Sequence, residues 1–186
     1  MKLLAFALIG GLGAAVGAVV LIFALIVTGS PSACVDRPLA ASEAESEALD
    51  AGWRAFGQRA AAGPAQITIS ELQATSRGVK YVDDKDVPVE ELQVHFCPDG
   101  VAEATGKIDV AGISTKVVVS GTLDLSGDQP RIEIDTVKAG NLPSFIAKPV
   151  VNLIISTGDF RTLDLDENLT NVQFSDAIVV VDGGSR

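Results

Sequence analysis

His95 is the only histidine of this chain, and Cys34 and Cys97 are its only cysteines. These three residues carry most of the nucleophilic, acid–base or metal chemistry on offer. His95 falls on the polar face of a strand with no second histidine or free cysteine beside it, so neither a catalytic dyad nor a ligand set assembles around it. An even pair of cysteines in an oxidising compartment reads as a disulfide; the alternative is two separate thiols. Asp164-x-Asp166-x-Asn168 opens like a calcium loop. However, Leu169 stands where the tight turn needs glycine, and Ser175 where a bidentate glutamate belongs. Asn168-Leu169-Thr170 has the form of a glycosylation acceptor. The glycines between Gly10 and Gly17 lack the preceding strand of a phosphate loop. The chain therefore reads as non-enzymatic, with no cofactor and no metal.

The elements that position these residues begin with an apolar run. From Leu3 to Val27 no charge occurs, and a helix needs about 20 apolar residues to cross the hydrocarbon core. Lys2 precedes the run and acidic residues dominate beyond it. The positive-inside rule then predicts a single-pass membrane protein with its N-terminus cytoplasmic and its domain extracytoplasmic. The alternative is a cleaved or lipidated leader ending near Ala33 and Cys34, which the length of the run and Pro31 disfavour. Gly13-x-x-x-Gly17 is a small-residue pattern that could pair two such helices as a homodimer; glycine is also simply common in membrane helices. The net charge of −10 over 186 residues excludes nucleic acid as a partner held by charge. The expected division is 1–28 for the cytoplasmic N-terminus and signal-anchor, 29–63 for a linker and amphipathic helix, and 64–186 for an exported α+β domain.

Within that domain Ser42-x-x-Glu45 reads as a capping box. Leu49, Trp53, Phe56 and Ala60 follow at helical spacing up to Gly63-Pro64. Gln66–Ile69 reads as a strand. Ser70-x-x-Gln73 is a second capping box, opening a short helix with Gly78 as its C-terminal cap. From Val87 the period becomes two. Leu92, Val94 and Phe96 alternate with Gln93, His95 and Cys97. Turns at Pro98-Asp99-Gly100, Ala111-Gly112 and Ser126-Gly127-Asp128 separate three further strands, giving an antiparallel meander with one apolar and one wet face. Ala102, Ala104, Gly106 and Gly121 interrupt the apolar face and leave room for something to lie against it. A very apolar helix over Leu142–Ile154, either bent at Pro149 or regular only from near Lys148, is the expected occupant. Short strands follow at Thr162–Leu165 and Ala177–Asp182. The fold class expected is thus α+β: a single N-terminal transmembrane helix, then a long curved antiparallel meander wrapped against an apolar helix.

Three segments, ITISELQ, VPVEELQVHFCPDGVAEATGKI and KAGNLPSFIAKPVVNLI, carry a resemblance. In order and turn chemistry the chain resembles the YpmS-like single-pass bacterial membrane proteins and is similar to the LmeA-like exported proteins. Both are related to the tubular lipid-binding (TULIP) superfamily. The resemblance covers about residues 65–183 and has no catalytic signature; Cys97 and Pro149 depart from its pattern. It implies membrane lipid as partner, with acyl chains held in an apolar groove. On the sheet side Leu92, Phe96, Ile108, Val117, Val119, Ile132 and Ile134 would line that groove. On the helix side Phe145, Ile146, Val150, Leu153 and Ile154 would close it. Each buried methylene would contribute about 0.8 kcal/mol. The alternative for the same residues is a filled α+β core in a structural or protein-interaction module of the cell envelope.

Overall fold

The computed structural model describes residues 30–110, 112–125, 131–140 and 169–184. They form α1 (Glu43–Ala62), β1 (Ala65–Ser70), α2 (Glu71–Asp84), β2 (Glu90–Phe96), β3 (Ala102–Val110), β4 (Ile113–Asp124), β5 (Arg131–Ala139), β6 (Leu169–Ser175) and β7 (Ile178–Gly183). The strands make two antiparallel sheets, one ordered β1-β7-β6 and one ordered β2-β3-β4-β5.

Both helices start where their sequences provide a cap. Ser42 accepts a hydrogen bond from the Glu45 amide, Glu43 and Glu45 occupy the first turn of α1, and Arg59 its last. The charges thus oppose the helix dipole at both ends. Ser70 and Gln73 form a complete capping box at α2. The apolar stripe of α1 turns inward. Phe56 and Ala60 are buried, and Trp53 lies 5.3 Å from the Phe56 ring. They share a core with Phe96, Leu169, Val179 and Val181, so α1 closes the small sheet. Gly78 does not cap α2, which continues to Asp84. Its bare Cα faces Leu92, and a Cβ there would stand 2.9 Å from Leu92 Cδ2.

The meander contains two register shifts. On β2 the pairing passes from Glu90↔Lys107 to Gln93↔Thr105, an extra residue being accommodated where Glu91 takes φ 50. On β5 it passes from Val119↔Val137 and Ser120↔Thr136 to Gly121↔Ile134. A bulge shifts the two-residue alternation by one position. Ile134 and Val137, even and odd in sequence, therefore reach the same apolar cluster. The partner strand is glycine at both places. A Cβ on Gly106 would meet Val89 Cγ1 at 2.7 Å, and one on Gly121 would meet the Glu133 carbonyl at 2.5 Å.

Two corrections to the expected fold follow. Among the described residues the architecture is two antiparallel sheets, of three and four strands, with two amphipathic helices, rather than the one long meander expected. α1 packs on α2 and β1, and α2 on β2. Among the described residues no helix is long and apolar enough to cross a membrane. The structure therefore does not support the single-pass arrangement with a cytoplasmic N-terminus and an extracytoplasmic domain. The run 3–27 with Gly13 and Gly17, the turn at Ser126–Asp128, the helix Leu142–Ile154 and the strand Thr162–Leu165 lie outside the described residues. So do Asp164, Asp166 and Asn168. Leu169–Ser175, which would complete the calcium loop, is instead strand β6 with Leu169 buried.

Gly121→Ala is expected to lower the unfolding free energy by about 1–3 kcal/mol, the usual range for overpacking. Gly52→Ala in α1, where a Cβ would sit 3.5 Å from Ile67 Cδ1, should raise it by about 0.5–1 kcal/mol. Urea denaturation of both variants checks the contrast.

Candidate functional site

Residues 33–42 form a strap over the wet face of the meander, tied at intervals to what lies beneath. Cys34 and Cys97 are joined as a disulfide, with Cα atoms 5.9 Å apart, and the Cys34 amide donates to the Glu103 carboxylate. The Gln93 side chain both accepts from the Leu39 amide (3.1 Å) and donates to its carbonyl (3.5 Å). The Ser42 amide donates to Ser76 Oγ at 3.1 Å. The covered face is consequently not wet: His95 is 3% exposed, and Glu103 and Thr105 are also buried. Alternation placed His95 correctly opposite Val94 and Phe96, but the strap removes the solvent.

The open edge of β2 is satisfied by α2. Thr75 Oγ1 accepts from the Val94 amide (2.9 Å) and donates to the Val94 carbonyl (3.3 Å). One turn earlier, Glu71 Oε1 accepts from the Phe96 amide at 2.8 Å. An unpaired strand edge invites intermolecular pairing; two side chains spaced i, i+4 on one helix face close this one.

Glu71 is the hub of the arrangement. It is only 2% exposed, and its Oε2 accepts from Arg37 through Nη2 (2.8 Å) and Nε (3.2 Å). His95 Nδ1 stands 3.5 Å from the same oxygen and makes no hydrogen bond. The Glu71 amide donates to the carbonyl of Ala177 in the β6–β7 turn, where Ala177 takes φ 65. Arg37 also reaches Asp176 of that turn at 3.5 Å. Burial by itself raises the Glu71 carboxyl. The Arg37 guanidinium and the Phe96 amide outweigh it and hold the group below the ordinary glutamate value.

Between strap and sheet lies a half-open pocket of about 250 Å³. Val35, Asp36 and Arg37 form its strap side; Glu91, His95, Thr105, Lys107 and Lys116 form its sheet side. Lys107 is paired with Glu91. The two cysteine sulfurs and Glu103 cluster closely enough to hold a metal ion, but the disulfide leaves no thiolate to bind one.

The residues expected to line an acyl groove do not all meet. Phe96 belongs to the core under α1, while Leu92 lies over α2. Ile108 and Val117 join Val119 and Ile134 in a second apolar cluster with Val89, Val137 and Ala139. Ile132 of β5 pairs with Leu123 of β4. Phe145, Ile146, Val150, Leu153 and Ile154 lie outside the described residues. Sequence reasoning missed Glu71, Thr75 and Arg37. Glu71 looks like an ordinary acidic residue in a first helical turn, and nothing local marks its 2% exposure. No family model, curated protein or solved structure matches this chain.

Replacing both cysteines by alanine opens a loop of 63-residue separation and is expected to cost about 2–4 kcal/mol. Denaturation of that variant, with and without reductant beside the native chain, measures it. The Glu71 carboxyl titrates lower in the folded chain than its ordinary 4.5. Its stabilisation is complete above that value and is lost as pH falls through the folded one. Glu71→Gln should therefore lose about 1–2 kcal/mol at pH 7 and show a flatter acid limb. A stability profile between about pH 2 and 7 tests both.

Proposed function

We propose that this protein is a non-enzymatic module that binds acyl chains against the apolar face of its four-stranded meander. The observation that carries this reading is the second apolar cluster. Ile108, Val117, Val137 and Ala139, with Val89, Val119 and Ile134, form a group separate from the core under α1. A sheet whose two ends serve two different apolar clusters has one more than the packing of α1 requires. Gly106 and Gly121 interrupt this face, and each bulge beside them bends its strand. Curvature of that kind suits a sheet that wraps around an elongated apolar ligand. The resemblance to the YpmS-like and LmeA-like proteins supports the same ligand class.

The partners of the buried Glu71 carboxylate favour binding over catalysis. Glu71, the carboxylate beside His95, already accepts from Arg37 and Phe96. A base held ionised by a guanidinium and an amide is poorly placed to take up a substrate proton.

Purified full-length chain should retain lipid in native mass spectrometry and take up a fluorescent fatty acid. Val119→Phe, adding bulk at a half-buried position of the cluster, should lower that uptake without loss of the β-sheet circular dichroism signal. A chain that carries no lipid, takes up no probe and instead captures a stoichiometric protein partner would be a packed interaction module, and the acyl-chain reading would be wrong.

A further inference from the structure

We propose that the pocket beneath the strap is a binding site for a phosphate group. It lies on the opposite face of the sheet from the acyl-chain cluster and stands independently of it. Lys107 on β3 and Lys116 on β4 are direct cross-strand partners, and both line the pocket. Opposed side chains in an antiparallel pair have Cβ atoms about 4.5–5.5 Å apart, and like charges there are destabilising. Glu91 answers one of the two ammonium groups. Lys116 makes no ion pair among the described residues. An arrangement that costs stability in the empty protein is resolved by an anion bridging the pair.

The setting strengthens this reading. The chain carries 14 Lys and Arg against 24 Asp and Glu, yet Arg37, Lys107 and Lys116 converge on one cavity. Of the two carboxylates in the wall, Glu91 is engaged by Lys107, and Asp36 is exposed on the strap, where solvent screens it. Thr105 and His95, both buried, complete the sheet side.

The donors left in the pocket suit a phosphate. The planar fork of Arg37, which fits carboxylate and phosphate alike, is already occupied by Glu71. The pocket is left with compact ammonium groups, which bind phosphate as point charges. Its volume of about 250 Å³ equals roughly eight waters at 30 Å³ each. That holds a phosphate group with a small organic remainder.

The test uses the full chain. Melting temperature and calorimetric affinity are measured with inorganic phosphate, with glycerol phosphate and with chloride at matched ionic strength. A further arm uses vesicles of anionic phospholipid against vesicles of phosphatidylcholine. Glycerol phosphate is expected to raise the melting temperature beyond the chloride control. Lys116→Thr should melt higher than the native chain without ligand, because the repulsion is gone. It should also bind phosphate roughly tenfold more weakly, the loss of one charge-assisted hydrogen bond. Binding of the soluble ester assigns the group to a small solute; binding of anionic vesicles alone assigns it to a lipid headgroup. No response to any phosphate arm beyond chloride overturns the site. So does a Lys116→Thr variant that keeps the native affinity.

Discussion

The Glu71 carboxylate is the point through which the rest of the described structure is held in place. A buried carboxylate is tolerated only if it is paired and its lone pairs are filled. Glu71 meets that condition with groups from separate parts of the chain: Arg37 of the strap and the Phe96 amide of β2. Its own amide holds the β6–β7 turn through Ala177. Because it opens α2, the helix N-terminus adds a favourable field for its charge. The orientation of α2 on the edge of β2, the seat of the strap and the docking of the second sheet are therefore conditions for one another. Thr75, one turn along, completes the closure of the same edge.

The strap and the bulges give the meander two different faces. On one, the disulfide, the Gln93 clamp and Glu103 hold chain over His95 and Thr105, enclosing a small charged cavity. On the other, the bulge in β5 puts Ile134 and Val137 on one face with Val117 and Val119, making one buried apolar cluster. Strands β3 and β4 serve both the cationic pocket and the apolar cluster simply because neighbouring residues point to opposite sides.

What the sequence disclosed was local. The caps at Ser42 and Ser70, the stripe through Trp53, Phe56 and Ala60, and the alternation from Leu92 to Phe96 are each set within a few residues. Where a distant segment intervenes, the reading failed. His95 sits on the face that alternation assigns it, but a strap from some sixty residues earlier buries it. Gly78 looked like a helix end because its role depends on Leu92, in another element. The bulge in β5 was written in the pattern Ile132-x-Ile134-x-x-Val137-x-Ala139, whose phase slips once. Strand β6 was obscured by the acidic residues leading into it. The membrane-anchored architecture rested on a run of apolar residues, while the described helices are amphipathic and bind to their neighbours by one stripe each.

The pairing of β1 with β7 bears on how the chain acquires this structure. The meander strands join neighbours in sequence, whereas β1 pairs Ala65 with Gly183. During synthesis, the Phe56–Trp53 stripe of α1 and the inward residues Ile67 and Ile69 of β1 emerge long before Val179 and Val181 arrive to cover them. Closing so long a loop is entropically costly and slow. The helical front of the molecule thus waits, partly uncovered, for the last strand to be made. That interval is when the nascent chain is most exposed to non-native association.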